Sequence, residues 1–160
     1  MEREHELEFD EFFASTYPAI VRSAALVVGD REVARELAQD AFVKALVHWK
    51  RVRTYDRPEA WVRKVAFRMA LRAKGREPQR GALSEPVVSD RVADVDLLRV
   101  ITELPPMQRA AIALHYLDDL PVEEVAATLR CAPSTARVHL HRGRARLAEL
   151  LHEERDDVAH

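Results

Sequence analysis

The sequence predicts an all-α protein made of two small helical domains joined by a flexible linker. Apolar residues recur at three- and four-residue steps over most of the chain, the period of a helix with one buried face. Only 4 of 160 residues are Gly and 6% are aromatic, too few for a sandwich of short strands and tight turns. Residues 77–93 break the periodicity with Pro78, Gly81, Ser84, Pro86 and Ser89, and so read as a linker between domains at 8–76 and 94–152.

The elements follow in order. Phe9, Phe12, Phe13, Tyr17, Ile20, Val21 and Ala24 mark a helix over 8–28, with Pro18 expected to bend or split it. Gly29 ends it, and Asp30 is the expected N-cap of a second helix, marked by Val33, Leu37, Ala38, Ala41, Phe42, Ala45 and Trp49. Pro58 suits the first turn of a third helix, which Trp61, Val65 and Met69 carry to about Gly75. Beyond the linker, Val95, Leu98 and Ile101 open the second domain, and Leu104-Pro105-Pro106 starts a helix to about Tyr116. A turn at Asp118–Pro121 leads to a short helix through Leu129. Arg130-Cys131-Ala132 then connects to a long helix from about Pro133 to Leu151. Fully extended, the linker reaches roughly 55–60 Å.

Charge is unevenly placed. The net charge is −2, yet residues 44–80 carry 12 basic and 3 acidic side chains, and residues 125–148 carry 5 basic and no acidic ones. Two basic blocks in an otherwise acidic chain fit two separate polyanion contacts, or more plainly two solvated helical faces. The second block lies on a short helix, a tight connection and a longer basic helix, a helix-turn-helix pattern. The second helix of that motif enters the major groove with its N-terminal residues at the base edges. Here that end carries Ser134, Thr135, Arg137 and Val138, followed by His139, His141 and Arg142. Short hydroxyls, a methyl-bearing side chain and guanidinium forks are groups that read bases and grip phosphates. In the first block, cations alternate with Trp49, Tyr55, Trp61 and Phe67, the pattern of a single-strand binder whose rings stack on bases; Trp49 and Trp61 also read as core.

These residues together resemble the sigma-70 family of bacterial RNA polymerase sigma factors, in the small two-domain extracytoplasmic-function (ECF) group. Residues 30–42, DREVARELAQDAF, are similar to the polymerase-clamp segment of region 2, and residues 57–66, RPEAWVRKVA, to its −10-melting segment. Leu104 to Arg109, Asp119-Leu120, Glu123 to Ala126 and Cys131 to Leu147 are similar to region 4, in the family's order. The resemblance implies a non-catalytic initiation factor that binds core RNA polymerase (β′ clamp and β flap), recognises −10 and −35 promoter elements and melts the −10 DNA. Leu37, Gln39, Asp40 and Phe42 would meet the clamp. Tyr55, Trp61, Lys64 and Arg68 would take the −10 strand, and the helix from Pro133 would read the −35 duplex. The resemblance also implies a cytoplasmic protein and an anti-sigma partner. Two alternatives remain at this stage: a sigma-like decoy that binds an anti-sigma factor, and a free-standing helix-turn-helix regulator.

Four departures stand out. Arg68 replaces a usual Asn, His139 stands where Arg is common, Pro121 and Ala132 replace capping Ser residues, and Gly143 replaces Ala at an expected cost of about 1 kcal/mol. Ser134 could then cap a slightly shortened recognition helix.

Other chemistry finds no support in the residues. His139 and His141 point to different sides of a helix and cannot clamp one metal, so no metal or cofactor is expected. Cys131 has no partner for a disulfide and reads as a buried turn thiol. No stretch approaches the roughly 20 apolar residues of a membrane span, and the acidic N-terminus is unlike a signal peptide. A soluble intracellular protein is expected.

Overall fold

The computed structural model describes residues 1–74 and 99–159, which contain helices and no strand. The expected linker over 77–93, with Val95 and Leu98 beyond it, lies outside the described residues. Helix α1 spans Glu2–Val28 and α2 spans Arg31–Val47. A single turn, α3, covers Trp49–Val52, and α4 runs over Pro58–Lys74.

The α1–α2 corner follows from two residues. Gly29 takes a left-handed φ of 76°, and its N–H donates to Ala25 O at 2.8 Å, closing α1. Asp30 Oδ1 then accepts from the Glu32 and Val33 amides at 2.9 and 3.2 Å, a cap worth about 1 kcal/mol. Ala34, Ala38, Ala41 and Ala45 form the buried stripe of α2. Their small side chains let α1 come close. Phe42 fills the middle, with its ring 5.0–6.5 Å from those of Phe9, Phe12, Phe13 and Tyr17.

One expectation needs correction here: the helix begins at Glu2 rather than at residue 8, and it runs unbroken through Pro18, so of the two expected effects splitting does not occur. The early start is held from outside: the Trp49 indole N–H donates to His5 O at 3.1 Å, and Arg53 pairs with Glu8 at 2.9 Å. These partners lie 44 and 45 residues away, beyond the reach of local periodicity.

After a helical turn at 99–101, α5 spans Pro106–Ile112 and continues as a π-helical turn over Ala113–Leu117. The short helix α6 covers Val122–Leu129, and α7 runs from Pro133 to Ala159, past the expected end at Leu151. Arg130 joins the last two with a left-handed φ of 56°. Ser134 lies inside α7 rather than capping it, because the first helical bond runs from the Ala136 amide to Ala132 O. Gly143 also has a role that propensity did not show. A Cβ built there would meet Ile112 Cγ1 at 2.9 Å, so the missing side chain is what lets α7 lie against α5.

The two groups of helices pack on each other through one continuous apolar core, with the end of α1 against α5 and α4 against α6. Arg109 crosses the seam. It is 2% exposed and donates to Leu26 O and Val27 O at 3.2 and 2.8 Å, at the C-terminus of α1, and to Leu104 O at 2.8 Å. Burial pushes its pKa down to about 10, still far enough up to keep it charged at neutral pH. A cation at the negative end of the α1 dipole, bonded to three carbonyls, ties the halves together.

Candidate nucleic-acid interfaces

Helix α7 is built by a simple division of faces. Ala136, Leu140, Gly143, Leu147 and Leu150 point inward at helical spacing. That leaves Ser134, Thr135, Arg137, Val138, His141 and Arg142 exposed, and His139 half-buried at the edge. Val138 is 44% exposed although it is apolar, which suits a methyl contact to a base. Arg137 sits 3.6 Å from Glu123 across open solvent, a pairing weak enough for a phosphate to displace.

Helix α4 differs. Arg57, Trp61, Lys64 and Arg68 fall on one stripe, and Trp61, Lys64 and Arg68 are half-buried. α6 lies against that stripe at both ends. Arg57 is bonded to Glu124, with Glu59 also in reach, and Arg68 Nη2 donates to Ala127 O at 3.1 Å. On the neighbouring face Arg63 lies 3.4 Å from Asp118, whose two oxygens accept from Ser23 Oγ at 2.9 and 3.0 Å. Burial raises the Asp118 carboxyl above the usual carboxylate range, although Arg63, Ser23 and Arg22 all act to lower it. Tyr55, on the loop before α4, is exposed.

On α2 the four predicted contact residues separate. Gln39 and Asp40 are exposed, Leu37 is half-buried against the core, and Phe42 is 2% exposed in the aromatic cluster, with no surface to offer a partner. The sequence reading passed over Val43, Leu46 and Val47, which are 57, 51 and 74% exposed beside Gln39 and Asp40. Their signal was available. They are apolar residues off the Ala34–Ala38–Ala41–Ala45 stripe, and an apolar group with no place in the core marks a contact surface.

Trp49 is core, 6% exposed, with ring centroids 5.3 Å from Phe9 and 5.2 Å from Phe12. Cys131 is half-buried, and burial raises its thiol pKa. No group of three or more metal-ligating side chains occurs among the described residues, and none of their helices is long and apolar enough to cross a membrane.

Residues 12–77 match the family model "Sigma-70 region 2", and residues 94–147 match "Sigma-70, region 4". The RNA polymerase sigma-E factor of Streptomyces avermitilis is 31% identical, over 94% of this chain and 88% of its own length. The chain belongs to the sigma-70 family of sigma factors, in its ECF group. The sigma-E factor of Streptomyces coelicolor is 30% identical over 91% of this chain and 86% of its own. The ECF sigma factor SigE of Mycolicibacterium smegmatis is 26% identical over 94% and 64%. The fold is also that of a solved sigma factor, RpoE of Bartonella quintana in complex with the anti-sigma factor NepR. That likeness has a TM-score of 0.73 at 24% identity, covering 90% of this chain and 96% of the other. Sigma factors act in transcription initiation and are not themselves enzymes.

Proposed function

We propose that this sigma factor brings core RNA polymerase to promoters by reading a −35 element with α7 and a −10 element with α4 and the loop before it. In this reading residues 8–76 and 94–152 act as the region 2-like and region 4-like domains, with 77–93 as the connection between their sites. Ser134, Thr135, Arg137, Val138, His139, His141 and Arg142 read the −35 duplex. Tyr55, Trp61, Lys64 and Arg68 take the −10 non-template strand as it melts. The observation that carries the reading is the α7 face, open and cationic over a buried apolar stripe, at the end of the helix that would enter the major groove.

Polymerase is met through α2. The surface offered to the β′ clamp is Gln39 and Asp40 with Val43, Leu46 and Val47, while Phe42 supports it from beneath. The region 4-like domain meets the β flap. An anti-sigma factor belongs to the same reading, since the Bartonella quintana neighbour is a complex with one, and the protein works in the cytoplasm.

The test is transcription in vitro with core polymerase on genomic fragments, with and without the protein. New discrete start sites are expected, and their aligned upstream DNA gives both elements. Asp40→Arg should abolish retention of polymerase in a pull-down while leaving the helical circular dichroism unchanged. Undiminished retention overturns the clamp assignment, and firm polymerase binding without transcripts overturns promoter recognition.

A further inference from the structure

Where α4 meets the end of α6, a cleft of about 210 Å³ opens between the two groups of helices. Arg68, Leu71 and Arg72 line it from α4; Thr128, Leu129 and Arg130 line it from α6 and its cap. Three of the six residues are arginines and none is an acid. The Thr128 hydroxyl is turned away, donating to Glu124 O at 2.9 Å.

Among the described residues, none of the three arginines has a carboxylate partner in the cleft. Arg68 spends one terminal nitrogen on Ala127 O, while its buried Nε has no hydrogen-bond partner among the described residues. Arg72 Nε donates to Arg68 O at 3.4 Å, one turn back along α4. Arg130 is set by its left-handed backbone at the end of α6, near enough that its charge, after burial, helps to lower the pKa of Arg68. Like charges gathered around a hollow are unfavourable alone and favourable around an anion. Guanidinium forks suit phosphoryl oxygens, to which they can donate in pairs. The cleft is smaller than the roughly 300–1,000 Å³ of sites for drug-sized molecules, so it suits a compact, multiply charged group rather than a base and sugar.

We propose that this cleft binds a pyrophosphoryl group, held by Arg68 and Arg72 from α4 and by Arg130 from the end of α6. Because its walls come from both halves, the site is complete only when the halves are packed together. The anion therefore stabilises the packed arrangement by linkage and keeps α6 over the α4 stripe. The binding site stands on the cleft alone, whatever α4 does with DNA.

Sodium pyrophosphate titrated calorimetrically into the full chain at fixed ionic strength tests it. One saturable site is expected, with a dissociation constant below about 1 mM and orthophosphate binding more weakly. Arg130→Asn, which tolerates the left-handed backbone, should weaken binding at least about tenfold, and so should Arg72→Gln on exposed α4 surface. In the same assay GDP distinguishes the source. Equal affinity assigns the diphosphate tail of a nucleotide and a preference for pyrophosphate assigns the free anion, either of which upholds the site. No saturable binding overturns the proposal. So does unchanged binding by both variants, and so does loss on Arg142→Ala in α7 in their place. Transcription by Arg130→Asn is expected to persist, which separates a failure here from a failure of the promoter reading.

Discussion

α4 and α7 both carry cation-rich faces proposed to meet nucleic acid, and the tertiary structure treats them in opposite ways. α7 buries one narrow apolar stripe against α5 and leaves the opposite face open. α4 is packed on α1 and α2, and its second, basic stripe then meets α6. The first turn of α6 explains the contrast, because its two adjacent acids face different ways. Glu124 binds Arg57 just before α4, whereas Glu123 stands loosely 3.6 Å from Arg137 on α7. One acid closes a surface and its neighbour barely touches another. Local charge therefore decides which faces attract phosphate, but the acids that tertiary packing brings alongside decide which are free to do so.

The largest expected effect comes from the residue that spans the halves. Arg109→Ala removes three charge-assisted bonds and strands carbonyls of Leu26, Val27 and Leu104, at a cost of about 4 kcal/mol. Equilibrium urea unfolding measures it; a cost below about 1 kcal/mol would show that the seam is held by its apolar core alone.

The contrast itself is tested by reversing each acid of α6 in turn. Glu124→Arg should free the α4 stripe and raise affinity for single-stranded oligonucleotides about tenfold beyond the gain from Glu123→Arg, which makes the same change of charge. Equal gains would mean that only bulk charge has changed and that α6 does not cover α4.

Gly143→Ala sharpens the comparison from the α7 side. Helix propensity would gain about 1 kcal/mol, but the new methyl runs into Ile112, and overpacking costs about 1–3 kcal/mol. A net loss of about 1 kcal/mol is expected by thermal unfolding. A net gain would show that α7 can shift off α5.

The smallest effect concerns pH. Asp118 titrates above its ordinary value in the folded protein, so its ionisation weighs against folding and protonation relieves that weight. As pH falls from 7 through the folded pKa, wild type should gain stability relative to Asp118→Asn in urea unfolding. A relative loss would mean that the Arg63 pairing outweighs burial.

Much of this was legible in the residues because it depends on neighbours in sequence. The Gly29–Asp30 corner and the start of α4 at Pro58 each follow from one residue's conformational preference or capping group, whereas the left-handed turn at Arg130 runs against the preference of its residue. The open face of α7 was legible too, since its apolar positions sit at helical spacing and leave the polar ones outside. The π-helical turn was hidden, because it is held by the Asp118 and Leu120 amides and by His115, which depend on how the chain folds back rather than on any periodicity. The division of α2 was half hidden. The alanine stripe already left Val43 and Val47 outside, but only the aromatic cluster around Phe42 shows that Phe42 faces inward.

The sequence alone determined the helices, their order, the sigma-70 resemblance and the two basic blocks, because composition, periodicity and capping act within a few residues. Only the tertiary structure decided that Arg109 would tie the two halves, that α6 would lie over α4, and that three arginines would share one cleft. Each of these joins residues more than fifty positions apart, and what places them is burial of a common apolar core and the pairing of the charges it carries inward.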